Sequence, residues 1–146
     1  MGTIFLVFSG ILFLSGTHTC TWEDFRSTQQ LGFNFMDWRE VLDSYSRFQQ
    51  CDDGGETSES YSDSVVRLLA AQWEKFPQLV KISKRNKGFR NFVLRHIDAT
   101  TSNDDLHKVV DLAENHCPRG AHSLCLLITT QAKSALVESQ EAIQVR

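Results

Sequence analysis

The most prominent charged feature of this chain is a run of basic residues near its middle. Glu74 is the only acidic residue in a window that holds seven cations: Lys75, Lys81, Lys84, Arg85, Lys87, Arg90 and Arg95. A face of this charge can dock phosphate, an anionic lipid headgroup or an acidic partner protein. A solvated helix surface is the ordinary alternative. We predict that the residues from Lys81 onward, Lys81, Lys84, Arg85, Lys87, Arg90 and Arg95, form a docking surface for an acidic protein.

His96 and Asp98 are the residues that best fit acid–base chemistry. His96 shares an apolar face with Phe89 and Phe92, and Asp98 has the type of side chain that orients a catalytic imidazole. A buried histidine bonded to the backbone is the more ordinary interpretation. No nucleophile motif such as G-x-S-x-G accompanies the pair. A hydrolase that uses His96 and Asp98 is therefore the alternative function, and binding without catalysis is the expected one.

Two groups of side chains have the types of metal ligands but not their spacing. The imidazole and thiolate group, which would suit zinc, consists of His107, His116, Cys117, His122 and Cys125. The acidic group, which would suit calcium, consists of Asp52, Asp53, Glu56 and Glu59. Neither matches a standard zinc finger or calcium-loop pattern. We expect no metal and no cofactor, and keep a zinc- or calcium-binding protein as an alternative.

The N-terminus has the pattern of a secretory signal peptide. Residues 3–16 are apolar and uncharged, and about 14 residues are too few to cross a hydrocarbon core, which takes about 20. Small polar residues follow, as at a cleavage site, although no Lys or Arg precedes the run. We predict a signal peptide over residues 1–19, secreted or periplasmic localisation, and no stable membrane span after cleavage. A buried strand or an uncleaved anchor is the alternative, and the residues before Cys20 make a poor lipoprotein box.

Export changes what the four cysteines, Cys20, Cys51, Cys117 and Cys125, are expected to do. Cysteines in an oxidising compartment are usually paired, and four of them allow three connectivities. We expect at least one bridge among Cys51, Cys117 and Cys125. A bridge from Cys51 would tie the loop before the central helices to the turn after them. It would raise the free energy of unfolding by roughly 3–4 kcal/mol.

The candidate residues described above are expected to be held in place by helices. Apolar side chains recur at three- and four-residue spacing through residues 37–143, which we interpret as a single helical domain. Asp37 and Ser102 are predicted N-caps, and Pro77 suits the first turn of a helix. Residues 20–36 are predicted to be an irregular or short helical lead-in whose aromatic side chains cover the core: Trp22, Phe25, Phe33 and Phe35.

The predicted helices cover residues 37–50, 61–76, 77–85, 89–97, 102–117 and 124–143. The expected fold class is therefore all-α, with about five to six helices. Short turns between helices of this size favour a small antiparallel bundle or a short stack of helix pairs. At 146 residues, with 41% hydrophobic and 23% charged residues, the chain forms one small domain.

Three runs, YSDSVVRLLAAQW, GFRNFVLRHIDATTSNDDL and AENHCP, resemble a group of small, functionally uncharacterised, exported bacterial helical proteins over about residues 60–125. The resemblance implies a helical fold and export, and it carries over no functional residue. A eukaryotic secreted helical protein is the alternative. The formal net charge of −3 and the lack of an aromatic pattern for base stacking argue against a nucleic-acid partner. The sequence thus predicts an exported, disulfide-stapled protein that acts through protein–protein interaction.

Overall fold

The computed structural model describes residues 19–30, 33–52 and 55–144. All but the last residue of the predicted signal peptide therefore lie outside the described residues. Within these ranges the regular elements are helices: α1 (Trp22–Gln30), α2 (Trp38–Phe48), α3 (Glu56–Ala71), α4 (Phe76–Arg85), α5 (Lys87–Arg95), α6 (Asn103–Asn115) and α7 (His122–Gln144). Short 3₁₀ turns, Gln49–Cys51 and Trp73–Lys75, follow α2 and α3. The all-α prediction is confirmed, and α1 is one helix more than the six predicted.

The helix ends follow the local signals in the sequence. Asp37 accepts hydrogen bonds from the backbone N–H groups of Arg39 at 2.8 Å and Glu40 at 3.2 Å. Ser102 accepts one from Asp105 N at 3.4 Å, and Pro77 lies in the first turn of α4. These caps take up donors that a helix terminus leaves without an internal partner.

α3 begins at Glu56, earlier than the predicted start at Tyr61. The polar residues between these positions were expected to form a loop. That prediction was wrong because one side of the segment is buried. Thr57 is 1% exposed, and its hydroxyl lies 3.5 Å from that of Thr28 on α1.

Tyr61 lies at the centre of an aromatic core. It is fully buried, and its ring centroid is 5.0 Å from those of Phe33 and Phe92. Around this centre α6 packs along α7, α3 packs on α6 and α1, and α4 contacts α2 and α5. The six-residue connection between α6 and α7 is short enough to make these two helices antiparallel neighbours.

The aromatic side chains of the lead-in divide between core and surface. Phe35 is 6% exposed, and Phe33 packs on the core, as predicted. Trp22 is 67% exposed, so the prediction that it covers the core was wrong. The reason is that α1 turns Thr28, which is fully buried, toward α3, while Trp22 at its first turn stacks on Phe25 at the surface.

All four cysteines are paired, as Cys20–Cys51 and Cys117–Cys125. The second bridge is one of those expected, but the predicted link from Cys51 across the central helices was wrong. The start of α1 brings the Cα atom of Cys20 to 4.9 Å from that of Cys51, so Cys51 has a nearer partner. Two disulfides fit an oxidising compartment. No helix of the described ranges is long and apolar enough to cross a bilayer.

Replacing Asp37 with alanine is expected to lower the free energy of unfolding by about 1 kcal/mol. Burial alone raises the pKa of Asp37, but the N–H groups of Glu40 and Arg39 outweigh it and lower that pKa. The carboxylate therefore stabilises the fold above the ordinary aspartate pKa of about 3.9, and this contribution is lost as the pH falls through the lowered value. Urea denaturation at neutral and acidic pH measures both effects. The control is Ser102→Ala, at the cap with the longer hydrogen bond. An equal loss of unfolding free energy in this control would contradict the role given to the two shorter Asp37 hydrogen bonds.

Candidate functional site

All six predicted docking residues lie on two consecutive helices, α4 and α5. Lys81, Lys84 and Arg85 are all exposed on α4, where a spacing of three and four residues places them on one side of the helix. Asn86 alone separates α4 from α5, whose first turn carries Lys87 and Arg90. We call the surface formed by Lys81, Lys84, Arg85, Lys87 and Arg90 the basic face.

Within the described residues the basic face has no counter-ions. The ion pairs in this part of the chain are Arg47–Asp43, Arg95–Asp52, His96–Asp52 and Lys133–Glu114. None of them involves a cation of the basic face. The Arg90 guanidinium donates to the amide oxygen of Asn91, at 3.3 and 3.4 Å. The charge on this surface is therefore free to attract an external anion.

Two basic residues of the same window form hydrogen bonds within the protein. Arg95 donates to Asp52 Oδ2 at 2.6 Å, and Lys75 donates to the carbonyl oxygens of Met36 and of the Gln72 side chain. Five residues along α5 turn the helix by roughly 140° relative to Arg90, so Arg95 lies on a different side. The structure thus separates Arg95 from the other predicted docking residues.

Concave surfaces lie on both sides of α4. One, the α2–α4 groove, has a volume of about 460 Å³, and its lining includes Arg39, Leu42, Lys81, Ile82 and Arg85. The other, the α7 cavity, has a volume of about 170 Å³ between α4, α5 and the start of α7. Its lining includes Val80, Ser83, Lys84, Arg90, Leu124 and Leu127. The basic face therefore joins two recesses that combine cations with apolar walls.

His96 lies in a buried polar cluster at the end of α5. Its Nδ1 is 3.0 Å from Ser62 Oγ on α3, and its Nε2 is 3.1 Å from Asp52 Oδ2 in the loop before α3. Asp98 does not bind the ring but accepts from the Ser62 hydroxyl at 2.6 Å. The phenyl ring of Phe92 covers the imidazole, with 4.4 Å between ring centroids. The side chain that orients His96 is therefore Asp52 and not the neighbouring Asp98.

The Ser62 hydroxyl links His96 to two further oxygen atoms. Besides His96 Nδ1, the hydroxyl contacts Asp98 Oδ2 at 2.6 Å and the carbonyl oxygen of Ser58 at 3.1 Å. The imidazole ring is therefore held at both nitrogens, by Ser62 at Nδ1 and by the Asp52 carboxylate at Nε2.

The carboxylate of Asp52 is the anchor of this cluster. Burial by itself raises the pKa of Asp52, but hydrogen bonds from His96 and Arg95 outweigh burial and hold the pKa far below its ordinary value. Its side chain is only 2% exposed. The ionised form is thus the one that the folded chain selects.

Ser62, His96 and Asp52 have the residue types of a hydrolytic triad but not its accessibility. Ser62 is fully buried and His96 is 1% exposed, so a substrate has no route to the hydroxyl in this conformation. Both ring nitrogens are already engaged, Nδ1 by Ser62 and Nε2 by Asp52. The arrangement can hold α3, α5 and the loop before α3 together, and it is closed to a substrate as it stands.

The two candidate metal-ligand groups do not form ligand clusters within the described residues. Cys117 and Cys125 are bonded to each other, so their thiolates are not available to zinc. Asp52 is bound by His96 and Arg95, Asp53 lies outside the described residues, and Glu56 and Glu59 line a polar surface recess. In the described parts of the chain, no three His, Cys, Asp or Glu side chains are placed to hold a metal ion.

Asp52 and Ser62 are partners of His96 that the sequence did not predict. They lie 44 and 34 residues away along the chain, and no local pattern links positions so far apart. The only available signal was the position of His96 on an apolar helical face, since a buried histidine needs polar partners. The chain matches no family model, no curated protein and no solved structure in the comparisons.

Proposed function

We propose that this chain is a secreted or periplasmic protein that acts by binding an acidic partner protein through the basic face. The observation that carries the proposal is the lack of counter-ions for Lys81, Lys84, Arg85, Lys87 and Arg90 within the described residues. Unpaired cations on neighbouring helices attract acidic surfaces and increase the rate of encounter with them. The chain as a whole carries a net charge of −3, so the positive surface is a local feature.

Three further features support this function. The apolar side chains Leu42, Ile82 and Leu127 next to the cations provide surface that a protein partner can bury. The buried state of Ser62 and His96 argues for a structural role of their triad-like cluster. The two disulfides suit a protein that works outside the reducing cytosol.

Charge reversal of the basic face is expected to weaken partner binding by roughly 100-fold, because like charges placed across an interface cost several kcal/mol. The test variant is Lys84→Glu, Arg85→Glu and Arg90→Glu in one chain. The measurement is capture of partner proteins from the exported fraction of the source cells, with cross-links mapped on both proteins. We expect an acidic partner that is cross-linked to α4 or α5 and is lost with the triple variant.

The matched control reverses the same number of exposed cations elsewhere: Arg26→Glu, Lys108→Glu and Lys133→Glu. This control should keep the partner, since the three residues lie on α1, α6 and α7. Circular dichroism and thermal unfolding establish that both variants are folded. Equal capture by the two variants, or cross-links that avoid α4 and α5, would contradict the proposal.

A further inference from the structure

The α2–α4 groove has an apolar floor and basic rims. Leu42 on α2 and Ile82 on α4 line it, and both are partly buried and packed against the core. Arg39 on α2 and Lys81 and Arg85 on α4 line it as well, and all three are exposed. Each helix therefore contributes an apolar side chain deep in the groove and positive charge at its edge.

The acidic residues of α2 do not form ion pairs with these cations. The Asp37 carboxylate is the N-cap of α2, and the Glu40 carboxylate accepts from Met36 N at 2.6 Å. Asp43 is paired with Arg47, and α4 contains no acidic residue. The positive charge at both rims is therefore available to carboxylates of a partner.

Hydrogen bonds fix the helices that form the groove. The side-chain oxygen of Gln78 on α4 accepts from the backbone N–H of Trp38, the first residue of α2, at 2.7 Å. Asn86, which also lines the groove, caps α5 by accepting from Phe89 N at 2.9 Å. A partner that binds a preformed groove does not have to pay for ordering its walls.

The distribution of charge indicates which kind of segment fits the groove. A helix can carry a stripe of apolar residues with acidic residues on both flanks, so it can reach the floor and both rims together. An extended segment points alternate side chains to opposite faces, and a single row of them would face the groove. Lys81 and Arg85 are four residues apart, which matches the spacing of neighbouring carboxylates along one flank of a helix.

We infer that the α2–α4 groove binds an acidic amphipathic helix of the partner protein, with the apolar stripe on Leu42 and Ile82 and the flanking carboxylates against Arg39, Lys81 and Arg85. A helix laid into a groove by its apolar side is a common mode of peptide recognition. This inference rests on the proposed function and adds the segment that is recognised. It also extends the contact surface beyond the basic face, to Arg39 on α2.

The test uses the mature, disulfide-bonded chain labelled for NMR and two synthetic peptides of about 18 residues, long enough to form a helix. Both consist of leucine, glutamate and alanine. In the first peptide the leucines form one helical stripe with glutamates on both flanks, and in the second the same residues are scrambled. The first should bind at least about tenfold more tightly, since burial of even one leucine side chain accounts for that factor. Its binding should shift the backbone amide signals of α2 and α4.

Matched charge variants locate the contact. Arg39→Glu should weaken binding of the first peptide by about tenfold or more, because it places like charges across the interface. The control is Lys87→Glu, a residue of the basic face that does not line the groove, and its effect should be smaller. Both residues are exposed in the first turn of a helix, where glutamate is favourable, so both variants should fold.

Equal binding of the two peptides, no binding of the first, or equal effects of the two variants would overturn the inference. Self-association of the chain that Arg39→Glu abolishes would also overturn it, since a second copy would then occupy the groove. Sedimentation of the chain without peptide measures this. In each of these cases, loss of partner capture in the triple charge-reversal variant would still support the proposed function.

Discussion

Replacing Asp52 with alanine is expected to lower the free energy of unfolding by about 2–3 kcal/mol, because it leaves the buried His96 ring without the carboxylate to which Nε2 is bonded. Asp52 Oδ2 receives Nε2 of His96 at 3.1 Å and the Arg95 guanidinium at 2.6 Å. Arg95 is 62% exposed and can turn to water, whereas His96 cannot. The loss should therefore arise mainly from the histidine. Urea denaturation at neutral pH, followed by circular dichroism, measures it.

A double variant separates the hydrogen bond from the packing. In Asp52→Leu with His96→Leu both hydrogen-bond partners are removed, and the loss of stability should be smaller than in Asp52→Ala alone, since the buried imidazole is not left without its partner. Asp98→Asn is a matched control at the other end of the cluster. Asp98 is partly exposed and also accepts from Thr100 N, so this variant should lose less stability than Asp52→Ala. A double variant less stable than the single one would contradict the proposed role of the His96–Asp52 hydrogen bond.

The same cluster gives the stability of the wild-type chain a definite pH dependence. The pKa of Asp52 is lower in the folded chain than the ordinary value of about 3.9 in the unfolded chain. Its stabilising contribution is therefore complete above that ordinary value and is lost as the pH falls below it. Asp52→Ala should flatten the decline of stability in this acidic window. An unchanged acid profile would mean that Asp52 does not make the hydrogen bonds described above.

Removing the Cys20–Cys51 disulfide, by Cys20→Ser with Cys51→Ser, is expected to lower the free energy of unfolding by about 3–4 kcal/mol. The bridge joins cysteines 31 residues apart, so its loss releases a long loop in the unfolded chain. The control is Cys117→Ser with Cys125→Ser, whose separation of 8 residues gives a smaller expected loss of about 2.5 kcal/mol. Urea denaturation of the two double variants provides the comparison. A larger loss for the shorter bridge would contradict the loop-length argument.

The disulfide and the polar cluster are adjacent and should not act independently. Cys51 precedes Asp52 directly, so the bridge to Cys20 also holds the backbone that presents the carboxylate to His96. Combining the cysteine variants with Asp52→Ala should therefore cost less than the sum of the separate losses. An additive result would show that the loop keeps its position without the bridge.

The basic face lies partly on α5, a helix that the polar cluster around His96 helps to hold in place. α5 carries Lys87 and Arg90 at its start and His96 at its end. The side chain of Lys84 takes part in both the basic face and the α7 cavity. The basic face and the α7 cavity are therefore continuous with each other.

Local sequence signals were sufficient wherever the interaction lies within one or two helical turns. The spacing of apolar residues predicted the helical fold, and the caps Asp37 and Ser102 and the N-terminal position of Pro77 were predicted correctly. Of the basic residues predicted to share a docking surface, Lys81, Lys84, Arg85, Lys87 and Arg90 lie at the adjoining ends of α4 and α5, whereas Arg95 lies on another side of α5. These features depend on neighbours three or four residues apart, which the sequence displays directly.

By itself, the sequence determined the all-α class, most helix boundaries and the position of the cations. Only the tertiary structure decided that Cys51 pairs with Cys20, that Asp52 and Ser62 bind His96, and that Ser83 lies buried beside the start of α7. The physical reason is that these contacts join residues separated by tens of positions. Their free energy depends on how whole helices pack against one another, and no spacing along the chain encodes that packing.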